Sequence, residues 1–282
     1  MPKITKQSMK PRPKERPVQD AWELSEHVSV LLFGASGTGK TTLWATFPDP
    51  ILAIICSGGG RNPEELKSID TPDNRRRITA RICNTGAQIE EQLEEAKSGE
   101  YRTVVLDHGT GLQTTLLREE LGVEELLQNS WGLAKREDYF AVALKAKEIL
   151  YRLLSLPAHR VIVGQEKDHN EDEERDSDLS DMQVASIGAD FSKSIIRWLN
   201  PACSFLVQTF KRPRMVEKRV KVPGKKEPLV KLVKGKGVDY CLRVGPHDRV
   251  ITKFRKPKGI VLPDVLVDPD FDKMMSLIQG GE

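Results

Sequence analysis

Eight consecutive residues, Gly34-Ala35-Ser36-Gly37-Thr38-Gly39-Lys40-Thr41, carry the sharpest chemistry in the chain. They satisfy the pattern GxxxxGK[ST] in full. Its glycines let the backbone curl until successive N–H groups point inward, an arrangement that holds phosphate oxygens. Lys40 is spaced to reach the β- and γ-phosphates of a nucleotide, and the Thr41 hydroxyl to complete a Mg²⁺ shell. Thr42 stands at the same helix start and can bond the α-phosphate. The run lies between residues 28–33 (VSVLLF), an apolar stretch suited to a strand buried on both faces, and a helix expected over 40–47.

A nucleotide site also needs an acid that holds the metal, at the end of a buried strand. Thr-Val-Val-Leu-Asp107 supplies one. One strand later, Val-Ile-Val-Gly-Gln165 ends in a neutral amide that can bond the γ-phosphate and move the loop behind it. The strand expected over 51–56 ends in Ser57-Gly58-Gly59-Gly60, where an acid is needed to activate water and none stands. Glu64 and Glu65 follow closely, without an assignable role. His108 reads as an ordinary loop histidine.

Lys253-Phe254-Arg255 falls on an expected strand, so its two cations share one face. Two cations on one face can clamp a phosphate, although a solvated pair is the commoner outcome.

The elements that position these residues alternate. Strands are expected over 28–33, 51–56, 103–106 and 161–163, and helices over 40–47, 87–98, 112–128 and 131–156. Such alternation gives right-handed crossovers and an α/β fold, a mostly parallel sheet with helices on both faces. From 204 to 254 the pattern changes to apolar–polar alternation broken by PGKK, GKG and GPHD turns, which predicts added antiparallel strands and hairpins. Residues 1–21 read as a flexible basic tail, 22–275 as one domain with a basic hairpin region over 205–258, and 276–282 as a tail.

The chain has 282 residues, 38% hydrophobic and 30% charged, so it is long enough and apolar enough to bury a core unaided. No apolar run approaches a membrane span and the N-terminus lacks a secretory signal, so a cytoplasmic protein without membrane contact is expected. Cys56, Cys83, Cys203 and Cys241 lie far apart, which argues against a zinc site or a disulfide framework. Residues 166–181 hold nine acidic side chains against two basic ones, a solvated loop by composition. Residues 211–258 hold seventeen Lys/Arg against four Asp/Glu, a basic surface. Lys211, Arg212, Arg214, Lys218, Arg219, Lys221, Lys225 and Lys226 are its candidate contacts to a nucleic-acid backbone.

Taken in order, the phosphate loop, Asp107, Gln165 and Lys253-x-Arg255 make the chain resemble a RecA-like P-loop ATPase core. Within that group it is similar to the small phage nucleotide-binding proteins, among them RecA-like single-strand annealing proteins. The resemblance spans about residues 26–272. It implies that residues 34–41 bind ATP and Mg²⁺, that Asp107 is the acid on the metal side, and that Gln165 senses the γ-phosphate. It further implies that Lys253 and Arg255 reach the ATP of a neighbouring subunit in a homo-oligomeric ring or filament. A phage-encoded protein working in the bacterial host, on single-stranded DNA and with or without a single-strand-binding partner, follows from the same likeness. The missing acid after the second strand is one departure from such relatives. The acidic run 166–181 is another, since it repels a phosphate backbone where relatives hold DNA. A DnaB-like ring motor and a nucleotide-gated interaction protein that does not bind DNA are the competing readings.

Overall fold

The computed structural model describes residues 27–56, 64–123, 134–169, 186–220 and 229–279. β1 (Ser29–Gly34), β2 (Ile51–Cys56) and β4 (Thr103–Asp107) are buried at every position. That is the environment an unbroken apolar run requires. With β3 (Ile78–Cys83) and β5 (His159–His169) they form a parallel sheet in the order β1-β5-β4-β2-β3. β7 (Phe205–Val220) extends it on the other side of β1, followed by β8 (Leu229–Arg243) and β10 (Val265–Val267). β6 (Ser186–Ala189) pairs with β5, and β9 (Lys253–Phe254) with β7.

The alternation of side chains along β1 divides the core into two layers. Leu31 and Phe33 pack among α3 (Gly86–Ala96), α4 (Gly109–Leu121), α5 (Arg136–Leu154) and α6 (Lys193–Ala202). Val30 and Leu32 face the opposite way, toward α1 (Lys40–Trp44) and α7 (Phe271–Gln279). Local chemistry starts several of these helices. Thr85 accepts from Gln88 N at the head of α3, and Thr71 from Asn74 N at the head of α2 (Pro72–Arg77), which opens on a proline.

The expected class is therefore observed: mostly parallel sheet, helices on both faces, antiparallel strands toward the C-terminus. Three details differ. β7 begins parallel to β1, from Phe205 to Thr209, before its outer half pairs antiparallel with β8. β5 does not stop at Val163 but runs through residues 164–169, because β6 pairs with residues 166–169 after the hydrophobic pattern has ended. The head of the acidic run is thus strand, while residues 170–185 lie outside the described residues. Finally, α7 continues past residue 275, the expected edge of the domain.

All four cysteines are buried free thiols. Burial raises the Cys83 thiol to about 11 and the Cys203 thiol to about 12. No helix among the described residues is long and apolar enough to cross a membrane.

Candidate nucleotide site

The phosphate loop joins the C-terminal end of β1 to α1. Gly39 is the N-cap of α1 with φ 93°, a left-handed conformation that disfavours any side chain. Gly34 is constrained by space, since a Cβ there would stand 2.3 Å from Thr209 O on the adjoining strand. Thr38 donates its hydroxyl to Ala35 O at 2.7 Å and meets the Thr209 hydroxyl at 2.7 Å. The loop is thus closed on itself and tied to β7.

Lys40 is 8% exposed, and its ammonium lies under the curl, donating to Gly34 O at 2.7 Å and Ala35 O at 2.8 Å. It also reaches Gln165 Oε1 at 3.4 Å. Register explains that contact: Gly34 and Gln165 are direct partners in the β1–β5 pairing. Gln165 does not end its strand as expected, and its side-chain oxygen lies against the Lys40 ammonium. Asp107 closes β4, is 7% exposed, and accepts from the indole of Trp44 on α1 at 3.0 Å. Lys40, Thr41, Thr42, Asp107 and Gln165 line one cleft of about 520 Å³ with the loop residues Ser36, Gly37 and Gly39.

A basic loop, a buried strand-end acid and an amide thus face one polar cleft, and the AAA domain profile matches residues 26–255. The chain belongs to the AAA domain family. A KaiC-like protein from the hyperthermophilic archaeon Pyrococcus horikoshii OT3 is similar over 86% of this chain and 89% of its own, at 12% identity and a TM-score of 0.39. No curated protein matches the chain.

The family's nucleotide-binding fold suits the donors present. A Mg²⁺ ion takes a few protein oxygens and otherwise phosphate and water, and Thr41 and Asp107 are the candidates for its protein ligands. Among the described residues no group of three or more His, Cys, Asp or Glu converges as a cage for metal, so phosphate and water must complete any such shell.

Three further cleft residues had no role in the sequence. Glu64, on the 3₁₀ turn Glu64–Ile69, lines it with its carboxylate 3.0 Å from Lys67, and Ser68 follows one turn later. Tyr240 of β8 closes the opposite side. His108 also borders the cleft, but its Nδ1 accepts from Gly111 N at 3.0 Å and caps α4. Its structural duty fits the sequence reading. The residues expected to hold an acid after β2 are outside the described set.

The basic residues separate. Lys211 pairs across the hairpin with Tyr240 and turns to the phosphate loop. Arg212 and Arg214 share the carboxylate of Asp239, at 3.8 and 2.8 Å. Lys218 is exposed further along β7. Arg219 lies on β7 with its side chain outside the described residues, as are Lys221, Lys225 and Lys226 altogether.

Lys253 and Arg255 do share a face. Both donate to the last carbonyls of α6: Lys253 to Asn200 O and Pro201 O, Arg255 to Pro201 O at 2.8 Å. Cations at a helix C-terminus complement its dipole. Burial, and then repulsion from Arg255, lower the Lys253 pKa from its ordinary value. β9 pairs with Phe205 and Leu206, which lie beside the start of β1, so the pair does not meet the phosphate loop of its own chain.

Proposed function

We propose that the protein is an ATP-binding and ATP-hydrolysing protein that binds single-stranded DNA and promotes strand annealing in phage-type recombination. The convergence of Lys40, Asp107 and Gln165 on one cleft above three adjoining parallel strands is the observation that supports it most. In this reading Lys40 and the loop N–H groups hold the β- and γ-phosphates, Thr41 and Asp107 hold Mg²⁺, and Thr42 bonds the α-phosphate. The metal neutralises charge on the β- and γ-oxygens. In the same reading Gln165, bonded to Lys40, registers the γ-phosphate and passes its loss to β6, the strand paired beyond it. Glu64 is the carboxylate proposed to orient the attacking water.

The rest of the reading concerns assembly and DNA. Lys253 and Arg255 stand far from their own phosphate loop, which supports a role at the cleft of a neighbouring copy in a ring or filament. Lys218, Arg219, Lys221, Lys225 and Lys226 are the proposed contacts to the DNA backbone, with binding dominated by counterion release. Arg212 and Arg214 contribute less, because Asp239 offsets part of their charge.

The test is ATP turnover of the purified protein at low salt, with and without oligonucleotide. Stimulation by single-stranded DNA, with affinity falling about tenfold or more between ~50 and ~200 mM salt, supports the reading. Turnover indifferent to DNA, with no oligonucleotide bound, instead supports a nucleotide-gated switch with a protein partner.

A further inference from the structure

The phosphate loop touches more than its own helix. Tyr240 and Lys211 are direct cross-strand partners in the β7–β8 hairpin, so their side chains share one face. The Lys211 ammonium lies 5.5 Å from the centroid of the Tyr240 ring. A Cβ on Gly39 would stand 3.2 Å from Cδ1 of that ring, and one on Gly37 would stand 3.5 Å from Lys211 Nζ. Ring and ammonium therefore rest against the outer side of the loop. Tyr240 is nevertheless 41% exposed and lines the cleft.

Sheet order gives this contact a direction. Asp107 and Gln165 lie on β4 and β5, on one side of β1, whereas Tyr240 lies on β8, two strands away on the other side. The cleft thus runs from an acid and an amide on one side of β1 to an aromatic ring carried by a strand on the other. A nucleotide with its γ-phosphate beside Lys40 and Gln165 has its sugar and base directed to β7 and β8. The other ring on the cleft among the described residues, the His108 imidazole, follows Asp107 at the acid end and is held by Gly111 N. We infer that Tyr240 is the platform for the base and ribose of the bound nucleotide, and that Lys211 is a positioning residue that holds the ring from behind.

The inference rests on the nucleotide-binding reading above and moves Lys211 from the DNA surface to the nucleotide site. It also gives the basic hairpin a direct mechanical link to the nucleotide. The Thr209 hydroxyl meets Thr38 of the loop two residues before Lys211 on the same strand, so the loop touches both sides of the hairpin root.

The test compares two probes by calorimetry in the presence of Mg²⁺: a non-hydrolysable ATP analogue and inorganic tripolyphosphate, which lacks the base and ribose. Tyr240→Ala is expected to weaken the analogue about tenfold and to leave tripolyphosphate within about twofold, since only the analogue has a base to stack on the ring. Tyr240→Phe keeps the ring and recovers most of the loss. Lys211→Ala weakens the analogue about threefold and Lys211→Arg restores it, because a guanidinium also sits over an aromatic face. Unchanged analogue affinity in Tyr240→Ala overturns the inference. So does an equal loss for both probes, which marks damage to the loop itself. If the unaltered protein binds neither probe, the nucleotide-binding reading fails and this inference with it.

Discussion

The indole Nε1 of Trp44 donates to Asp107 Oδ2 at 3.0 Å, and both side chains are buried. The bond joins the first helix after the phosphate loop to the acid that ends β4, so the proposed metal ligand is oriented by the same helix that carries Lys40 and Thr41. A hydrogen bond to a buried carboxylate contributes ~1.5–3 kcal/mol. Trp44→Phe keeps most of the ring and loses the donor. It is expected to lower stability by about 2 kcal/mol in urea unfolding and to raise the Mg²⁺ concentration needed for half-maximal turnover. An unchanged Mg²⁺ requirement would separate Asp107 from the metal.

Glu64 reaches the cleft from a short turn and, among the described residues, pairs with an exposed lysine three residues on. As the group that orients water, it acts in turnover and not in binding. Glu64→Gln should cut the turnover number about 100-fold and leave ATP affinity within a factor of about two. Equal losses in both quantities would make it a binding residue.

Lys253 and Arg255 close the end of α6, and that duty alone predicts a loss of about 1 kcal/mol for each alanine substitution. The shared-site proposal predicts more. Arg255→Ala should lower turnover about tenfold or more with nucleotide affinity kept, and mixing it with Lys40→Ala subunits should restore part of the activity. If the melting temperature falls while turnover per folded protein stays constant, the two cations are helix caps and nothing else.

His159, at the start of β5, accepts from Val28 N through Nδ1 and packs edge-on against His27 and Phe271. Burial first, then the charges of His27, Arg160 and Arg102, lower its pKa from 6.5 to about 4. A depressed pKa means that the unfolded chain binds the extra proton first. The neutral ring therefore contributes stability above the unfolded value, and that contribution is lost as pH falls from 6.5 toward 4. The loss should be about 2 kcal/mol, allowing for partial contact with water. Unfolding of His159→Gln, compared with the unaltered protein at several pH values, isolates it: the difference between them should shrink on acidification.

Much of this site was legible before the structure. β1, β2 and β4 have continuous apolar runs at their centres, and each strand lies where its run lies, because burial on both faces confines polar residues such as Ser29, Thr103 and Asp107 to the strand ends. The phosphate loop and Asp107 then follow from their places at strand ends. β3 was missed because it is an edge strand: Thr79, Ala80 and Arg81 blur the period that a covered strand would show. α6 carries Ile195 and Leu199 at helical spacing, but Pro201 in its last turn obscured the pattern. α7 was not read either: its apolar positions Phe271, Met274 and Ile278 straddle residue 275, where the domain was expected to end, although Asp270 caps it by accepting from Lys273 N at 2.7 Å. Tyr240 could not be found that way. Its place depends on the register of β8 against β7, which includes an irregularity between Pro213 and Met215. Spacing along the chain carries no trace of it.

The central claim is that the cleft over β1 binds and turns over a nucleotide through Lys40. The direct measurement is Mg²⁺-dependent ATP turnover and ATP affinity of the unaltered protein beside Lys40→Ala. Turnover is expected in the first and a loss of about 100-fold or more in the second, with weaker ATP binding. Equal turnover in both proteins would contradict that claim, since the cation under the phosphate loop would then take no part.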